Sequence, residues 1–257
     1  MSRHQILDPT AALKIPPNLC ALGIMTKAPE AGKVKTRLTP PLTAEEAAAL
    51  NICFLQDLAG SIITATSQTA ARGIGVYTPA GVEKIYESIL PDAFFLLLQR
   101  GDNFGERLTF AAEDLFKVGF ESVCLINSDS PTVSASCFAE AAKELSKPGD
   151  RVVLGPSEDG GYYLIGLKQL HRRLFEDIDW STEKVFDQTM KRAAEIGVAV
   201  HKLSPGFDVD DHATLHRLCD ELLGETNELT SGTAPNTRKF LSKIVQREGR
   251  ARIWPKE

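Results

Sequence analysis

Short apolar runs that alternate with helix-forming segments are the feature that most constrains the fold of this chain. Residues 19–25, 93–98 and 122–126 are continuous apolar stretches, with a shorter one at 73–77. Such stretches are typical of strands that are covered on both faces of a sheet. Strands separated by helices of ordinary length form βαβ units, so the sequence predicts an α/β fold with a mainly parallel central sheet.

The helices between these strands have recognisable starts. Thr43 and Glu46 form a capping box that predicts a helix to about Thr66, and further helices are expected at 106–118 and 134–145. In the second half of the chain, strands are expected at 151–155, 162–167 and 198–203. Residues 180–182 are expected to cap one more helix, and another helix is expected to begin near Asp211.

A length of 257 residues fits one large α/β domain. We expect an N-terminal extension at 1–18, the α/β domain at 19–223, and a linker followed by a basic C-terminal helix at 224–257. The C-terminal piece carries Arg238, Lys239, Lys243, Arg247, Arg250 and Arg252. A solvated helix face is the simpler interpretation of this charge run, and contact with an acidic partner is the alternative.

The composition excludes several classes of protein. A net charge of −5 argues against nucleic-acid binding across the body of the protein, although a local cluster of cations could still bind a small anion. The five cysteines form no Cys-x-x-Cys pair, which indicates free thiols in a reducing compartment and predicts a cytoplasmic protein. Neither a signal peptide nor a membrane span is predicted.

Ligands of an open α/β sheet bind outside the carboxyl ends of its strands, so the polar residues that follow strands are candidate site residues. The loop after the first strand carries Lys27, Lys33, Lys35 and Arg37, with Gly32 shaping it. Cations and backbone amides in that place suit phosphate oxygens, although a solvated basic loop has the same composition. The loop has neither a Walker A nor a Gly-x-Gly-x-x-Gly pattern, which disfavours a nicotinamide-dependent dehydrogenase.

Carboxylates follow two other predicted strands. Asp129 comes just after the strand at 122–126, while Asp208 and Asp210 are alternate residues of an extended segment and could therefore share a face. Hard oxygen ligands of this kind suit Mg²⁺ or Mn²⁺, which commonly bridge to substrate phosphates. A turn role for Asp129 and a helix-capping role for Asp210 are the competing interpretations.

The segment between the strands at 151–155 and 162–167 contains Glu158, Asp159, Gly160 and Gly161. Two glycines beside a carboxylate let the backbone approach a ligand closely, and they also form ordinary hairpin turns. His212 and His216 have the spacing of a zinc pair on a helix, but without a third ligand a helix surface is the better interpretation. No Gly-x-Ser-x-Gly pattern supports a serine hydrolase.

Taken together, these segments resemble the GT-A-like transferases known as selenodomain-associated transferases, over residues 19–222. The matching motifs are Lys-Ala-Pro-x-x-Gly-x-Val-Lys-Thr-Arg-Leu at 27–38, Gly-Glu-Arg-Leu at 105–108, Ser-Asp-Ser-Pro at 128–131, Gly-Pro-x-x-Asp-Gly-Gly-Tyr at 155–162, Trp-Ser-Thr at 180–182 and Asp-Val-Asp at 208–210. The family usually has Pro where Ala31 stands and Gly where Asn127 stands. A more distant similarity is to 2-phospholactate guanylyltransferases.

The resemblance implies a single-domain GT-A, Rossmann-like, three-layer sandwich that binds a nucleotide or nucleotide-sugar and acts on a small-molecule acceptor. We therefore expect a metal-dependent glycosyltransferase. The alternatives are a nucleotidyltransferase that releases pyrophosphate and a catalytically silent nucleotide-binding module. The residues expected to bind phosphate or nucleotide are Lys27, Gly32, Lys35, Arg37, Asn103, Arg107, Gly160 and Gly161. Asp129 and Asp210 are expected to bind Mg²⁺ or Mn²⁺, with Asp208 as a substitute. Glu158 or Asp159 is expected to orient or deprotonate the acceptor, and Asp129 is also expected to have a catalytic role.

Overall fold

The structure is a computed structural model that describes residues 3–11, 15–224 and 233–255. A seven-stranded, mostly parallel sheet forms the centre of the protein. Its strands lie in the order β3-β2-β1-β4-β6-β5-β7. Only β6 runs antiparallel to its neighbours within the described sheet. The strands are β1 (Cys20–Lys27), β2 (Ala71–Thr78), β3 (Phe95–Leu98), β4 (Ser122–Ile126), β5 (Arg151–Pro156), β6 (Tyr162–Leu167) and β7 (Ala199–Lys202).

The helices follow the predicted alternation with the strands. They are α1 (Ala44–Thr66), α2 (Phe104–Lys117), α3 (Ala135–Ser146), α4 (Val185–Glu195), α5 (His212–Leu223) and α6 (Pro235–Glu248), together with short 3₁₀ helices, the first of them at Thr36–Leu38. The capping box at the start of α1 is confirmed, because Thr43 Oγ1 accepts from the Glu46 amide and the Glu46 carboxylate accepts from the Thr43 amide.

Side chains alternate between the two faces of the sheet, and each face is covered by helices. In β1, Leu22 packs into the core that α1 and α3 cover, whereas Ala21 packs into the core that α2 and α4 cover. This alternation is the period of a strand, and it explains why β1 is apolar along almost its whole length. The predicted three-layer sandwich is confirmed.

The direction of the strands places the polar loops at one edge of the sheet. Since β1, β4, β5 and β7 all run parallel to one another, the loops that follow them leave the sheet at the same edge. Those four loops contain the predicted phosphate, metal and acceptor segments except Asn103 and Arg107, which follow β3, a strand of the same direction. Sheet topology alone therefore makes a common site possible.

One predicted helix start is wrong. Residues 180–182 do not cap α4, which begins at Val185, but form a turn of their own. Ser181 has a left-handed backbone with a φ of 63°, and Thr182 Oγ1 donates to the carbonyl of Asp179 and accepts from the amide of Lys184, which precedes the helix. The N-cap position of α4 is Lys184, which provides no side-chain cap.

A third core joins the C-terminal helices to the start of α1. Phe54 of α1 packs in one buried cluster with Leu218 of α5, Leu241 of α6 and Trp254. The predicted linker at 225–232 lies outside the described residues. The predicted basic helix is α6, and two of the C-terminal charges have an acidic partner: Arg247 in the helix and Arg252 after it both pair with Glu46.

α1 is long and apolar enough to cross a membrane, the one such helix in the described part of the chain. More than half of its most apolar stretch, 56%, is buried inside the protein. This burial is that of a helix that packs on a sheet, so its apolar character has an explanation within the fold.

The docking of α6 provides a test of the third core. Asp57 of α1 is 4% exposed, and its carboxylate accepts from the Asn236 amide, the Asn236 side chain and the Thr237 amide, each at 2.8–2.9 Å. Ala234, at the N-cap position of α6, provides no side-chain cap. The carboxylate of Asp57, on α1, takes this role by accepting from the first amides of α6. Asp57→Ala should lower the free energy of unfolding by about 2–4 kcal/mol in urea denaturation.

Asp57→Asn keeps the shape and one accepting oxygen, and it should lose clearly less stability than Asp57→Ala. Equal denaturation midpoints for wild type and Asp57→Ala would show that this carboxylate does not hold the helix in place.

Candidate active site

Lys35 lies at the centre of the loops that meet at the sheet edge. Its ammonium Nζ lies 2.7 Å from Asp129 Oδ1, 2.8 Å from Asp210 Oδ1 and 2.8 Å from the carbonyl oxygen of Val209. The side chain is only 5% exposed. Three segments that are far apart in sequence therefore converge on one cation, as the predicted site requires.

The backbone around Asp129 is held by hydrogen bonds that fix its direction. Its carbonyl accepts from the Val209 amide at 2.9 Å, which ties the loop after β4 to the extended segment before α5. Asn127 donates from its side-chain amide to Ser130 Oγ at 3.0 Å, and its own amide donates to Tyr163 of β6. Asn127, where the resembling family usually has Gly, therefore stabilises the turn that carries Asp129.

The segment at 208–210 is extended, and its middle residue decides which way the carboxylates face. Val209 is fully buried, so Asp208 and Asp210 both lie on the other side and line the cleft. Asp208 accepts from Ser157 Oγ at 2.8 Å, while Asp210 pairs with Lys35. Asp211 is the N-cap of α5, which leaves the side chain of Asp210 available to the site.

The charges of the cluster shift each other's pKa values. Burial, together with the charges of Asp159 and Asp210, raises the pKa of Asp208 to about 6. Burial alone would lower the pKa of Lys35 and raise that of Asp210. The charges of Asp129 and Asp210 outweigh burial at Lys35, so its pKa is raised, and the charge of Lys35 outweighs burial at Asp210, so the pKa of Asp210 is lowered. The ammonium and its carboxylate partner thus remain charged together.

The hairpin between β5 and β6 separates its two acidic residues. Glu158 forms a bidentate pair with Arg217 at 2.5 and 2.7 Å, and that guanidinium stacks over the ring of Phe207. Asp159 instead lines the cleft and accepts from the Gly161 amide at 2.9 Å. Of the two predicted acceptor-binding carboxylates, Asp159 is the one that faces the cleft.

An aromatic corner formed by Phe104 and Trp180 borders the cleft. Phe104 is 49% exposed and contacts Trp180 edge to face, with 5.2 Å between the ring centroids. Two glycines, Gly105 and Gly160, permit close packing against the turn at 180–182 and the residue that follows it. A Cβ on Gly160, whose φ is +87°, would overlap the carbonyl oxygen of Glu183, and one on Gly105 would lie 2.6 Å from Trp180 Nε1.

The converging loops enclose a cleft of about 730 Å³. A smaller pocket of about 250 Å³ adjoins it and shares with it Lys27, Phe104, Tyr162 and residues 127–129. The predicted site residues that line the cleft are Lys27, Lys35, Arg37, Asp129, Asp159, Gly161, Asp208 and Asp210, and Arg107 lines the smaller pocket.

The remaining predicted site residues line neither space. Asn103 caps α2 by accepting from the Glu106 amide, which gives it a structural role. Gly32, with a φ of +73°, shapes the loop after β1, and Gly160 supports the turn at 180–182. Glu158, the fourth residue of this group, is held by Arg217 as described above.

Two residues that the sequence analysis missed also belong to the site. Ser157 hydrogen bonds to Asp208. Gln99 lines the smaller pocket, and its side-chain amide donates to the carbonyls of Thr26 and Val76 at 3.0 and 2.6 Å. Both directly follow strands, β5 and β3, so the rule that identified the other loops applies to them as well.

Asp129 and Asp210 already share a cation, each with an oxygen within 2.8 Å of the Lys35 ammonium. Such hard oxygens fit Mg²⁺ or Mn²⁺ in chemistry. No group of three or more His, Cys, Asp or Glu within the described ranges is arranged as a metal site. The alternative zinc pair gains no support, because His216 is engaged by Asp220 and by the carbonyl of Pro255.

Comparisons with known proteins found one matching family and several similar structures. A profile of the family described as "Uncharacterized protein conserved in bacteria (DUF2064)" matches residues 62–182. A protein from Desulfovibrio desulfuricans G20, provisionally described as a nucleotide-diphospho-sugar transferase, is 27% identical, with a TM-score of 0.77 over 89% of this chain and 96% of that one. The predicted resemblance is confirmed. The fold class and the assignment to the transferases are confirmed with it.

More distant structures share the fold alone. A nucleotidyl transferase from Methanothermobacter thermautotroptrophicus is 12% identical, with a TM-score of 0.53 over 79% of this chain and 96% of that one. A CMP:2-keto-3-deoxy-manno-octonic acid synthetase complexed with CTP is also 12% identical, with a TM-score of 0.50 over 78% and 96%. No curated protein matches the chain by sequence.

The contact between Gly105 and Trp180 gives a prediction about the aromatic corner. Gly105→Ala should push the indole away and lower the free energy of unfolding by about 1–3 kcal/mol, because a methyl group has no space there. Gly60→Ala is the matched control, since Gly60 also lies in a helix but has no atom within 4 Å of an added Cβ. It should leave stability unchanged or raise it by up to about 1 kcal/mol.

Chemical denaturation measures both changes in stability, and the fluorescence of Trp180 in the folded protein reports displacement of its indole, while Trp254 packs in the third core. Indistinguishable stability of the two variants would mean that the turn at 180–182 is not packed against α2 as described.

Proposed function

We propose that this protein is a metal-dependent glycosyltransferase that takes its sugar from a nucleotide diphosphate-sugar donor. One observation carries the proposal: the cationic loop after β1 and the carboxylates at 129, 208 and 210 line the same cleft. Phosphate-binding cations beside hard oxygen ligands are what a diphosphate and its divalent cation require. The likeness to the Desulfovibrio protein supports the same class of donor.

The two adjoining spaces suit the two ends of such a donor. The smaller pocket has apolar walls from Met25, Leu108 and Leu125, which suit a flat nucleobase. The larger cleft carries the charges, so the diphosphate and the sugar belong there. Lys27 and residues 127–129 border both spaces, at the point where base and phosphates would join.

Lys27 and Arg37 are the cations best placed to receive phosphate oxygens. Both side chains lie on exposed residues of the cleft, and Arg37 makes no hydrogen bond within the described part of the chain. Its planar guanidinium can bind two phosphate oxygens at once, whereas Lys27 acts as a point charge.

Asp129 and Asp210 would hold the divalent cation. When bound, Mg²⁺ or Mn²⁺ offsets negative charge on the departing diphosphate. Asp208 is the weaker candidate, because it accepts a hydrogen bond from Ser157 and its pKa is raised to about 6 by burial and by the neighbouring charges of Asp159 and Asp210. Asp159 faces the same cleft and is placed to orient or deprotonate an acceptor hydroxyl.

Free thiols support a cytoplasmic location. All five cysteines lie in the described ranges, and none forms a disulfide. Cys20, Cys124 and Cys219 are buried in the core, as thiols are in proteins of reducing compartments.

A nucleotide screen tests the proposed function. Nucleoside diphosphates, nucleotide-sugars and nucleoside triphosphates should be tested by thermal shift with and without Mn²⁺, because a ligand that binds the folded state raises its melting temperature. We expect one nucleotide diphosphate or nucleotide-sugar to raise Tm, and Mn²⁺ to enlarge the shift. Asp129→Asn should remove the Mn²⁺-dependent part, so an unchanged shift in that variant would contradict the metal assignment.

The products formed from the selected nucleotide then identify the reaction. Release of nucleoside diphosphate from a nucleotide-sugar is the expected result. Pyrophosphate release from a triphosphate and a phosphate-bearing acceptor would show a nucleotidyltransferase instead, and tight binding without turnover across the panel would show a binding module.

The hairpin between β5 and β6 allows its two carboxylates to be tested against each other. Asp159→Asn should lower kcat by about 10²–10⁴-fold with little change in nucleotide affinity, because general-base assistance is lost. Glu158→Gln should stay within a few-fold of wild type, since Glu158 is paired with Arg217 away from the cleft. The reverse ranking of the two variants would exclude Asp159 as the base.

A further inference from the structure

The ammonium of Lys35 has no capacity left for a phosphate. A lysine side chain carries three N–H donors, and three acceptors surround this one within 2.8 Å. All of its protons are directed at Asp129, Asp210 and the carbonyl of Val209. A diphosphate that enters the cleft therefore meets Lys27 and Arg37 first and gains nothing from Lys35 until that contact set is broken.

The same ammonium also stands where a metal would bind. Asp129 and Asp210 each direct an oxygen at Nζ, so a divalent cation between these oxygens would have to replace the lysine or accept its charge at contact distance. The Lys35 ammonium thus hinders both the diphosphate and the divalent cation. It has no free donor for the phosphates, and it occupies the carboxylates that would bind the metal.

The exposure of the three side chains shows from which side an exchange can take place. Lys35 is 5% exposed and approaches from the inner wall, next to the ring of Phe54 at 5.7 Å. Asp129 and Asp210 are 30% and 46% exposed, so both carboxylates are also reached from the cleft. A cation arriving through the cleft can bind them while Lys35 leaves by rotation of its own side chain.

We propose that Lys35 is an intramolecular competitor of the divalent cation, which holds the carboxylate pair in the free protein and releases it when a diphosphate offers new acceptors. This inference rests on the proposed function and adds its regulation. Metal and nucleotide then bind with positive coupling, since each removes the obstacle to the other. Such coupling is reciprocal, so the factor by which nucleotide tightens metal binding equals the factor by which metal tightens nucleotide binding.

The alternative is that Lys35 is a permanent counter-ion that organises the carboxylates for the metal. The two roles predict opposite effects when the ammonium is removed. A competitor, once removed, leaves metal binding tighter, whereas removal of an organiser leaves it unchanged or weaker.

Mn²⁺ titration of the nucleotide-free full chain distinguishes these roles, with the paramagnetic resonance signal of unbound Mn²⁺ as the readout. Lys35→Met replaces the ammonium by an uncharged side chain of similar length, and it should bind Mn²⁺ about tenfold tighter than wild type or more. Lys33→Met is the matched control. It removes the same charge from the same loop and the same cleft, but the Lys33 ammonium pairs with Glu30 at 2.6 Å and not with the carboxylate pair.

The control variant should bind Mn²⁺ within about twofold of wild type, because removal of a screened surface charge has a small effect. Lys35→Gln is the second neutral variant, and it can still donate to the Val209 carbonyl if Lys35→Met does not fold. Unchanged or weaker Mn²⁺ binding in the folded Lys35 variants, or equal tightening in Lys33→Met, would overturn the proposal. Because no nucleotide is present, this result is independent of whether the nucleotide screen succeeds.

Discussion

The ion cluster of Lys35, Asp129 and Asp210 is the interaction on which the site depends. It joins the loop after β1, the turn after β4 and the segment before α5, and the hydrogen bond from Val209 to Asp129 closes the same junction through the backbone. β1 and β4 are adjacent in the sheet, but β7, which precedes the third segment, is the outermost strand, so strand pairing alone brings the loops only to a common edge. In the free protein the ion cluster holds the three loops together where that edge becomes a cleft, and the backbone hydrogen bond between Val209 and Asp129 joins two of them independently of the lysine.

Much of this architecture was predictable because it depends on local patterns. The capping box of Thr43 and Glu46 predicted the start of α1 correctly, since both hydrogen bonds lie within one helical turn. The apolar run of β4 gave its bounds at Ser122–Ile126 because a strand buried on both faces has no polar interruption. The same reasoning indicated that the loops would share one edge, since that conclusion needs only the direction of parallel strands.

What the sequence could not predict are contacts between residues that no local pattern relates. Glu158 and Asp159 are adjacent acidic residues, and only the position of Arg217 on α5 shows that the first is neutralised while the second faces the cleft. The failed prediction of a cap at 180–182 has the same origin. A Ser-Thr pair before a helix resembles a cap in sequence, but the packing of Trp180 on Gly105 and the turn made by Thr182 determine its structure. Tertiary contacts override a local preference that is worth about 1 kcal/mol.

The charge distribution of the cleft explains why cation and nucleotide need each other. Asp129, Asp159, Asp208 and Asp210 form one wall, and Lys35 is the single cation in contact with them among the described residues. The crowding is visible in Asp208, where burial and the charges of Asp159 and Asp210 raise the pKa to about 6. A diphosphate that enters beside such a wall adds negative charge to a region that already has an excess of it, and the exposed Lys27 and Arg37 offset only part of this charge. A divalent cation between the carboxylates and the phosphates lowers the repulsion on both sides at once. The same repulsion among the carboxylates explains why, in the free protein, Asp129 and Asp210 pair with the ammonium of Lys35.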